Sequence, residues 1–433
     1  MAPAPGGFLA SEGRPDWAAG AARKPDRGPR IVYASRTHTQ VAQVVAELRS
    51  LPQYAPTAVT LASRSHYCIH KRVSTLRAGD LNNECSKLLS SDVGPKCQHY
   101  RAAEALAARV KGDVLDIEDL VAEGRDHGGC PYFAAKELAT SADLVLCPYN
   151  YVVDPNVRLA MGLDLEGAVV IIDEAHNIEQ TAMEAGSFGA SLEALEDGAR
   201  TLDDAATYSK QAGTFGPIAR AFTGLCTFLR GEVARVSGSA AGGVGSRGKD
   251  WPVRKWPIGL AGLLEKLMEL GFGEWQEFLA ALELAGKGDD KGGRPRKRKA
   301  KGGGDPGGAE GEPPSAAFSV KGVELLGPCR LFLQCLSMVL GQGVEPGKGP
   351  SRAAVGGQVA DIGFSLESNA RHYYAAIQYD VGDRKWHFNL GCLWPGVVFR
   401  PLVASARCIV LASGTLSPLD SFEAELGAPF PFR

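Results

Sequence analysis

Residues 168–176 read Ala-Val-Val-Ile-Ile-Asp-Glu-Ala-His. Five apolar residues in succession, four of them β-branched, leave no polar face for water. Such a run is expected of a central strand in a parallel sheet covered on both sides. It ends in two adjacent carboxylates, Asp173 and Glu174, which places both charges at a sheet edge. Two further runs have the same form. Ile31-Val32-Tyr33-Ala34 passes into Ser35-Arg36-Thr37-His38-Thr39-Gln40, then into Val41, Val44, Val45 and Leu48 at helical spacing. Cys408-Ile409-Val410-Leu411 passes into Ser413-Gly414-Thr415. Open α/β sheets bind ligands at the carboxyl ends of their strands. The three polar ends are therefore expected to converge on one edge. A further strand is expected at 143–147, ending at Pro148-Tyr149-Asn150.

Composition excludes several alternatives. Apolar residues make up 45% and charged residues 22%, ordinary for a globular chain, so a wholly disordered chain, a collagen and a coiled-coil rod are ruled out. No run approaches the ~18 apolar residues of a membrane helix, and no membrane partner is expected. Lys and Arg number 47 against 49 Asp and Glu, a net charge of −2, so the chain is no basic coat. A local basic groove remains compatible with that total. At roughly 100–200 residues per domain, 433 residues suffice for two to four. Met1–Arg30 has no apolar core of signal-peptide length and is expected to be a flexible leader. From Glu179 to Ala285 the pattern is mostly helical, broken by a Gly/Ser-rich stretch at Ser237–Gly248. Residues 286–316 and 341–357 are too poor in large apolar side chains to order themselves. Helical pattern returns near Leu325–Leu340, and strand pattern at His372–Tyr379 and Trp386–Leu390.

The acidic pair suits nucleotide hydrolysis. One carboxylate, Asp173, would hold Mg²⁺; the second, Glu174, would act on the attacking water; His176 would relay the state of the phosphate. The alternative is an acidic turn capping the next helix. Cys68, Cys85, Cys97 and Cys130 form a second constellation, spaced by 17, 12 and 33 residues. None is paired as Cys-x-x-Cys, which argues against a zinc ribbon. Four thiolates suit an iron–sulfur cluster, and spacing alone leaves unrelated buried thiols equally open. Cys147 reads as core, and Cys226, Cys329, Cys335, Cys392 and Cys408 as packing residues in apolar surroundings. Arg36, Thr37, His38, Thr39 and Gln40 suit phosphate contacts on single-stranded DNA, and Thr37 or Thr39 equally suits a helix N-cap. Arg64, His66, His70, Lys71 and Arg72 form a basic patch around Cys68, open between DNA contact and a solvated loop. The run 294–301 is either a nuclear localisation signal or a solvated loop. Trp386, Phe388, Trp394 and Phe399 are expected in the core rather than stacked on bases.

These segments together resemble the superfamily 2 DNA helicases of the xeroderma pigmentosum group D type. Ser35–Gln40 resembles motif Ia, Asp173-Glu174-Ala175-His176 the DEAH box, and Ser413-Gly414-Thr415-Leu416-Ser417-Pro418 motif III. Cys147-Pro148-Tyr149-Asn150-Tyr151 resembles the segment between cluster and DEAH box. Asn83-Glu84-Cys85, Lys96–Tyr100, Asp116–Val121 and Gly129–Phe133 resemble the Fanconi anaemia group J branch, with the telomere-elongation regulator branch next. The resemblance is dense over Ile31–Glu179 and Trp386–Glu425 and weak between.

The resemblance implies an α/β fold. Its motor domain would be a partial RecA-like parallel sheet at 30–62, 138–182 and 386–433. An iron–sulfur insert would occupy 63–137 and a mainly α-helical arch insert 183–385. It implies that Cys68, Cys85, Cys97 and Cys130 ligate a [4Fe–4S] cluster and that Ser413, Gly414 and Thr415 couple ATP to DNA. It also implies ATP and Mg²⁺, single-stranded and structured DNA, repair-complex partners, 5′-to-3′ unwinding and a nuclear location. The family's phosphate-binding loop, Gly-x-x-x-x-Gly-Lys-[Ser/Thr], is not found, and the sequence stops at Arg433, soon after motif III. The chain is accordingly expected to be part of a helicase and not to hydrolyse ATP alone. Two other outcomes stay open: a non-catalytic iron–sulfur DNA-binding module, and an α/β protein whose DEAH is coincidental.

Overall fold

The computed structural model describes residues 28–51, 53, 56–90, 97–208, 212–240, 253–286, 326–340, 369–415 and 419–431. The leader before residue 28, the basic run at 294–301, the stretches 287–316 and 341–357, and Leu416–Pro418 of the motif III segment lie outside them.

Among the described residues the strands are β1 Ile31–Ser35, β2 Ala58–Thr60, β3 Leu144–Pro148, β4 Val169–Asp173, β5 Phe188–Ser191, β6 Val253–Ile258, β7 Tyr373–Asp380, β8 Lys385–Cys392 and β9 Cys408–Ala412. Five form a parallel sheet in the order β2-β3-β1-β4-β9. Strand β1 is central, pairing Val32 with Val145 and Val170, and Ala34 with Cys147 and Ile172. All six of these residues are 0% exposed and form one inner face. Fully burying a Val or Ile side chain is worth about 1.5–3 kcal/mol, so this face locks the register.

The other face is covered by helix α1, His38–Arg49, through Val41, Val45 and Leu146. Helix α1 begins with a capping box. Thr37 Oγ1 accepts the Gln40 amide at 3.3 Å, and Gln40 Oε1 accepts the Thr37 amide at 3.1 Å. The sheet ends at β9, whose alternate residues Cys408, Val410 and Ala412 are exposed. Cys408 is therefore not the packing residue its apolar neighbours suggest, because an edge strand has a neighbour on one side only.

Between β2 and β3 lies a run of short helices: α2 Arg64–Tyr67, α3 Ala78–Ser90, α4 Gln98–Arg101, α5 Ala103–Arg109, α6 Ile117–His127 and α7 Pro131–Ala139. After β3 come α8 Asn150–Val153 and α9 Pro155–Met161, and after β4 comes α10 Ile178–Ala185. The chain then builds a second body. Helices α11 Leu192–Tyr208, α12 Ala212–Ala240, α13 Leu260–Glu269, α14 Trp275–Gly286 and α15 Gly327–Val339 pack with an antiparallel sheet, β5-β8-β7-β6. Phe332 sits at its centre, 5.4–6.2 Å between ring centroids from Phe188, Phe222, Phe272 and Phe388. Helices α16 Gly396–Ser405 and α17 Leu419–Leu426 flank β9 in sequence.

The second body is less purely helical than its pattern suggests. Strands β5 and β6 lie within the stretch read as helix. Both are edge strands; β5 has four residues and β6 carries Pro257, which only an edge position tolerates. The segment Trp386–Leu390 belongs to β8 and pairs with β5 and β7, so the boundary expected at 385/386 falls inside this strand. Phe388, in the core of the second body, and Phe399, in the core of the parallel sheet, are fully buried, while Trp386 and Trp394 pack half-buried against the second body's core.

Two crossings join the bodies, at Gly186–Ser187 and at Cys392–Trp394. Tyr373 Oη donates to the Gly186 carbonyl at 3.0 Å, and the Cys392 amide donates to Ser187 Oγ at 2.9 Å. A Cβ on Gly186 would stand 3.0 Å from Val398 and 3.1 Å from Cys392 Sγ, so the crossing is packed as closely as glycine permits.

Candidate active site and cysteine centre

Strands β1, β4 and β9 are parallel, and two of the neighbouring pairs, β1–β4 and β4–β9, are hydrogen-bonded. Their polar ends therefore leave the sheet on the same side. Asp173 closes β4 opposite Ala412 of β9, which brings Ser413 beside the DEAH turn. Ser413 Oγ donates to Glu174 Oε2 at 3.3 Å and lies 3.1 Å from His176 Nδ1. His176 Nδ1 is also 3.2 Å from Glu174 Oε2. With the serine hydrogen given to Glu174, the shared hydrogen of the other contact belongs to Nδ1 of the imidazole. Thr415 is tied in through its amide, 3.4 Å from Ser413 Oγ, and its hydroxyl at 3.4 Å. A Cβ on Gly414 would meet nothing within 4 Å.

Asp173 is half-buried and held at both oxygens. Its Oδ1 accepts the Glu174 amide at 2.9 Å, and its Oδ2 accepts Tyr33 Oη at 2.8 Å. Neither acid caps the following helical turn through its side chain. Glu174 instead has φ +53°, one of two described non-glycine residues with positive φ. A left-handed non-glycine residue costs on the order of 1–3 kcal/mol, and such strain gathers at functional sites. The turn thus aims the Glu174 carboxylate at Ser413 and His176. A half-exposed carboxylate at a strand end, with a second acid adjacent, is a donor set that fits a hydrated Mg²⁺ ion.

The motif Ia residues divide into two groups. Arg36, Thr37 and Thr39 are exposed at the end of β1. Gln40 is occupied by the cap, its Oε1 accepting also from Ser35 Oγ and Thr37 Oγ1, each at 3.1 Å. His38 is half-buried with its ring 4.5 Å from that of His66. Burial, then the neighbouring His66, hold its pKa below the ordinary imidazole value.

Cys68, Cys85, Cys97 and Cys130 line one small pocket. The cavity walls include Ile69, Val73, Leu88 and Phe133. Cys68 ends α2, Cys85 lies in α3, and Cys97 and Cys130 precede α4 and α7. Backbone bonds fix the last two: Cys97 N to Leu88 O at 3.4 Å, and Cys130 N to His99 O at 2.8 Å. All four sulfurs are free and half-buried. Burial pushes the Cys130 thiol up to about 11, although the Phe133 and Tyr132 amides pull the other way. Burial likewise raises Cys68 and Cys85. Four thiols on one apolar-walled cavity, without a disulfide, are the donor set an iron–sulfur cluster requires. Cys147, Cys226, Cys329, Cys335 and Cys392 are buried.

The basic patch around Cys68 is divided: His66, Lys71 and Arg72 are exposed, while Arg64 and His70 are half-buried. Arg64 lies over the Tyr132 ring at 4.6 Å, Arg72 pairs with Glu84, and His70 Nδ1 accepts the Val73 amide at 3.2 Å. Two features escaped the sequence reading. Tyr33 had looked like one more apolar strand residue, yet its hydroxyl reaches Asp173. Asp380, Asp383 and His387 bring three metal-capable atoms within 4.8 Å of one another at the β7–β8 turn. There Asp383 is ion-paired with His387 at 2.8 Å. The two aspartates also accept turn amides, from Gly382 at 2.7 Å and Lys385 at 2.9 Å.

Comparison with known proteins agrees with this geometry. Residues 33–195 match the DEAD_2 family. Over 182 residues the chain is 40% identical to the Fanconi anemia group J protein homolog of Gallus gallus, which covers 40% of this chain and 14% of that protein. It is 40% identical over 178 residues to the regulator of telomere elongation helicase 1 of Homo sapiens, covering 40% and 14%. An alignment of 437 residues with the Rattus norvegicus regulator is 29% identical and covers 93% of this chain and 31% of that protein. The chain thus spans less than a third of the length of these relatives. A solved XPD helicase structure aligns with a TM-score of 0.41 at 15% identity, over 93% of this chain and 53% of that one. Residues 33–195, from β1 to the first turn of α11, are a DEAD_2 domain, similar over this stretch to the group J homolog and to the telomere-elongation helicase regulator.

Proposed function

We propose that this chain is the DEAH-box and cysteine-insert portion of an ATP-dependent DNA helicase of genome maintenance, moving 5′ to 3′ in the nucleus. One observation carries the reading: Glu174, His176 and Ser413 meet within hydrogen-bonding distance beside Asp173, at the ends of neighbouring parallel strands. In it, Asp173 holds Mg²⁺, which when bound neutralises charge on the transferring phosphate. Glu174 orients the attacking water and takes its proton. His176 and Ser413 hold Glu174, so movement of the Ser413-Gly414-Thr415 loop is felt at the acid. Arg36, Thr37 and Thr39 contact DNA phosphates, with His38 and Gln40 shaping the loop that presents them. Cys68, Cys85, Cys97 and Cys130 hold a [4Fe–4S] cluster that cross-links the short helices of 63–137, a segment with little core of its own.

The motor would comprise 30–62 and 138–182 with the part containing β9. The pairing of β8 with β5 and β7 favours ending the arch at Cys392. The relatives' names, a Fanconi anemia group J homolog and telomere-elongation helicase regulators, support the assignment to genome maintenance. Because these 433 residues contain no Gly-x-x-x-x-Gly-Lys-[Ser/Thr] loop, they would bind single-stranded DNA without hydrolysing ATP by themselves.

The test is ATP hydrolysis with and without single-stranded DNA. It compares this chain with a version carrying a phosphate-binding loop and strand ahead of Ile31. The extended protein is expected to turn over ATP in a DNA-stimulated manner. Glu174→Gln should lower turnover by about 100-fold or more while ATP binding persists. Unchanged turnover in that variant would remove Glu174 from its role. An extended protein that binds DNA but never hydrolyses ATP would instead establish the non-catalytic module.

A further inference from the structure

The parallel register sets Tyr33 beside Ile171. Alternate residues of a strand share a face, so Tyr33, Ile171 and Asp173 project to the same side of the sheet. Asp173 lies one pleat beyond Tyr33's neighbour, a reach that a phenol spans and a shorter side chain does not. Its hydroxyl donates to Asp173 Oδ2 at 2.8 Å. The ring behind it packs in the small cluster of Val41, Val45 and Leu146, of which the two valines belong to α1. The opposite carboxylate oxygen is held by the Glu174 amide. The plane of the Asp173 carboxylate is therefore set by two donors on different elements, one of them pressed from behind by the helix that starts at motif Ia.

We infer that Tyr33 is a positioning residue for Asp173, fixing its carboxylate in the orientation that receives a divalent cation. The inference rests on the proposal that Asp173 holds Mg²⁺. The hydroxyl acts through Asp173, removing rotational freedom from its carboxylate. Because its ring packs on α1, it also links the DNA-contacting end of β1 to the metal-binding end of β4.

The probe is Mn²⁺, titrated into the full chain and followed by electron paramagnetic resonance of the free ion. Subtracting the Asp173→Asn titration isolates this site from other acidic groups, the Asp380–Asp383–His387 cluster included. Tyr33→Phe is expected to weaken the Asp173-dependent site by about tenfold, the usual effect of losing a partner that orients a metal-binding carboxylate, with the melting temperature unchanged. A second measurement keeps the native contact. A fluorinated tyrosine at position 33 should shift its ¹⁹F resonance on adding Mg²⁺, and Asp173→Asn should abolish the shift. Tyr33→Phe binding Mn²⁺ as the wild type does, or a resonance indifferent to Mg²⁺ while Asp173→Asn removes the Mn²⁺ site, would overturn the role of Tyr33 alone. A wild-type chain with no Mn²⁺ site that Asp173→Asn removes would overturn the metal assignment and this inference together.

Discussion

The pair Glu179 and Glu425 offers a pH-dependent test of how the two sides of the site are joined. Glu179 sits in α10, directly after the DEAH turn, and Glu425 sits in α17, after the Ser413–Thr415 loop. Burial, then the hydrogen bond and charge of Glu425, push the Glu179 carboxyl from 4.5 up to about 7. Between these values the folded chain holds a proton that the unfolded chain releases. The resulting stability is fully present below pH ~4.5 and is lost as pH rises through ~7. Unscreened, a change of that size is worth ~3 kcal/mol. Glu179 is only partly buried, and water screening reduces this to about 1 kcal/mol. Glu425→Gln replaces the second acid with an amide that can donate to Glu179, which removes the hydrogen-bond and charge contributions and leaves that of burial. Urea denaturation at pH 5 and pH 8 should show the wild type losing more stability than Glu425→Gln over that interval, by a fraction of that ~1 kcal/mol. The three histidines whose values burial lowers, His38, His70 and His372, are common to both proteins and cancel in the comparison. Equal pH slopes, or a wild type that gains stability relative to the variant, would refute the shared proton.

Two other outcomes concern the insert and the second body. Cys97→Ser should abolish stoichiometric iron, measured by metal analysis after anaerobic purification, and should sensitise residues 63–137 to protease; full iron retention would exclude Cys97 as a ligand. Phe332→Ala should cost about 3–5 kcal/mol in chemical denaturation, because it empties the position shared by four other aromatic rings; a loss under 1 kcal/mol would mean that the site collapses around the gap.

The sheet and its active edge were legible because their signals are local. Val169–Ile172 reads as a buried strand, and Val170 and Ile172 are fully buried with Val169 and Ile171 half-buried on the other face. The parallel arrangement sends the ends of β1, β4 and β9 out of the same side of the sheet; those of β4 and β9 meet at 3.1–3.3 Å, and β1 reaches the acids through Tyr33. The four cysteines were legible as a set only through family resemblance. Their spacings of 17, 12 and 33 residues carry no period, and short helices with irregular turns bring them to one cavity. What sequence could not supply was non-local. Strands β5 and β6 lie at sheet edges and owe their conformation to β8 and β7, more than a hundred residues away. Cys408 looks identical in pattern to a core strand residue, and only the strand order shows that its neighbour on one side is missing. Tyr33 alternates correctly as a strand residue, and its polar use depends on the register with β4.

On the proposed function, the same register would let DNA at the end of β1 and nucleotide at the end of β4 act on one another across this sheet. Glu174 is held by Ser413 from β9, and Asp173 by Tyr33 from β1, so each acid of the pair answers to a different neighbouring strand. The positive φ of Glu174 keeps the two carboxylates pointing toward these separate partners. On this reading, a displacement of α1 would press on the Tyr33 ring through Val41 and Val45, and a displacement of the Ser413 loop would pull on Glu174. Neither route passes through the second body. That body meets the motor where Tyr373 and the Cys392 amide bind the chain at Gly186 and Ser187, one helix beyond the DEAH turn. Loosening that junction with Tyr373→Phe should therefore change how the two bodies move together while leaving Mn²⁺ binding at Asp173 intact. If instead it weakened that binding as much as Tyr33→Phe does, the acids would be held by the whole molecule and not by their two adjacent strands.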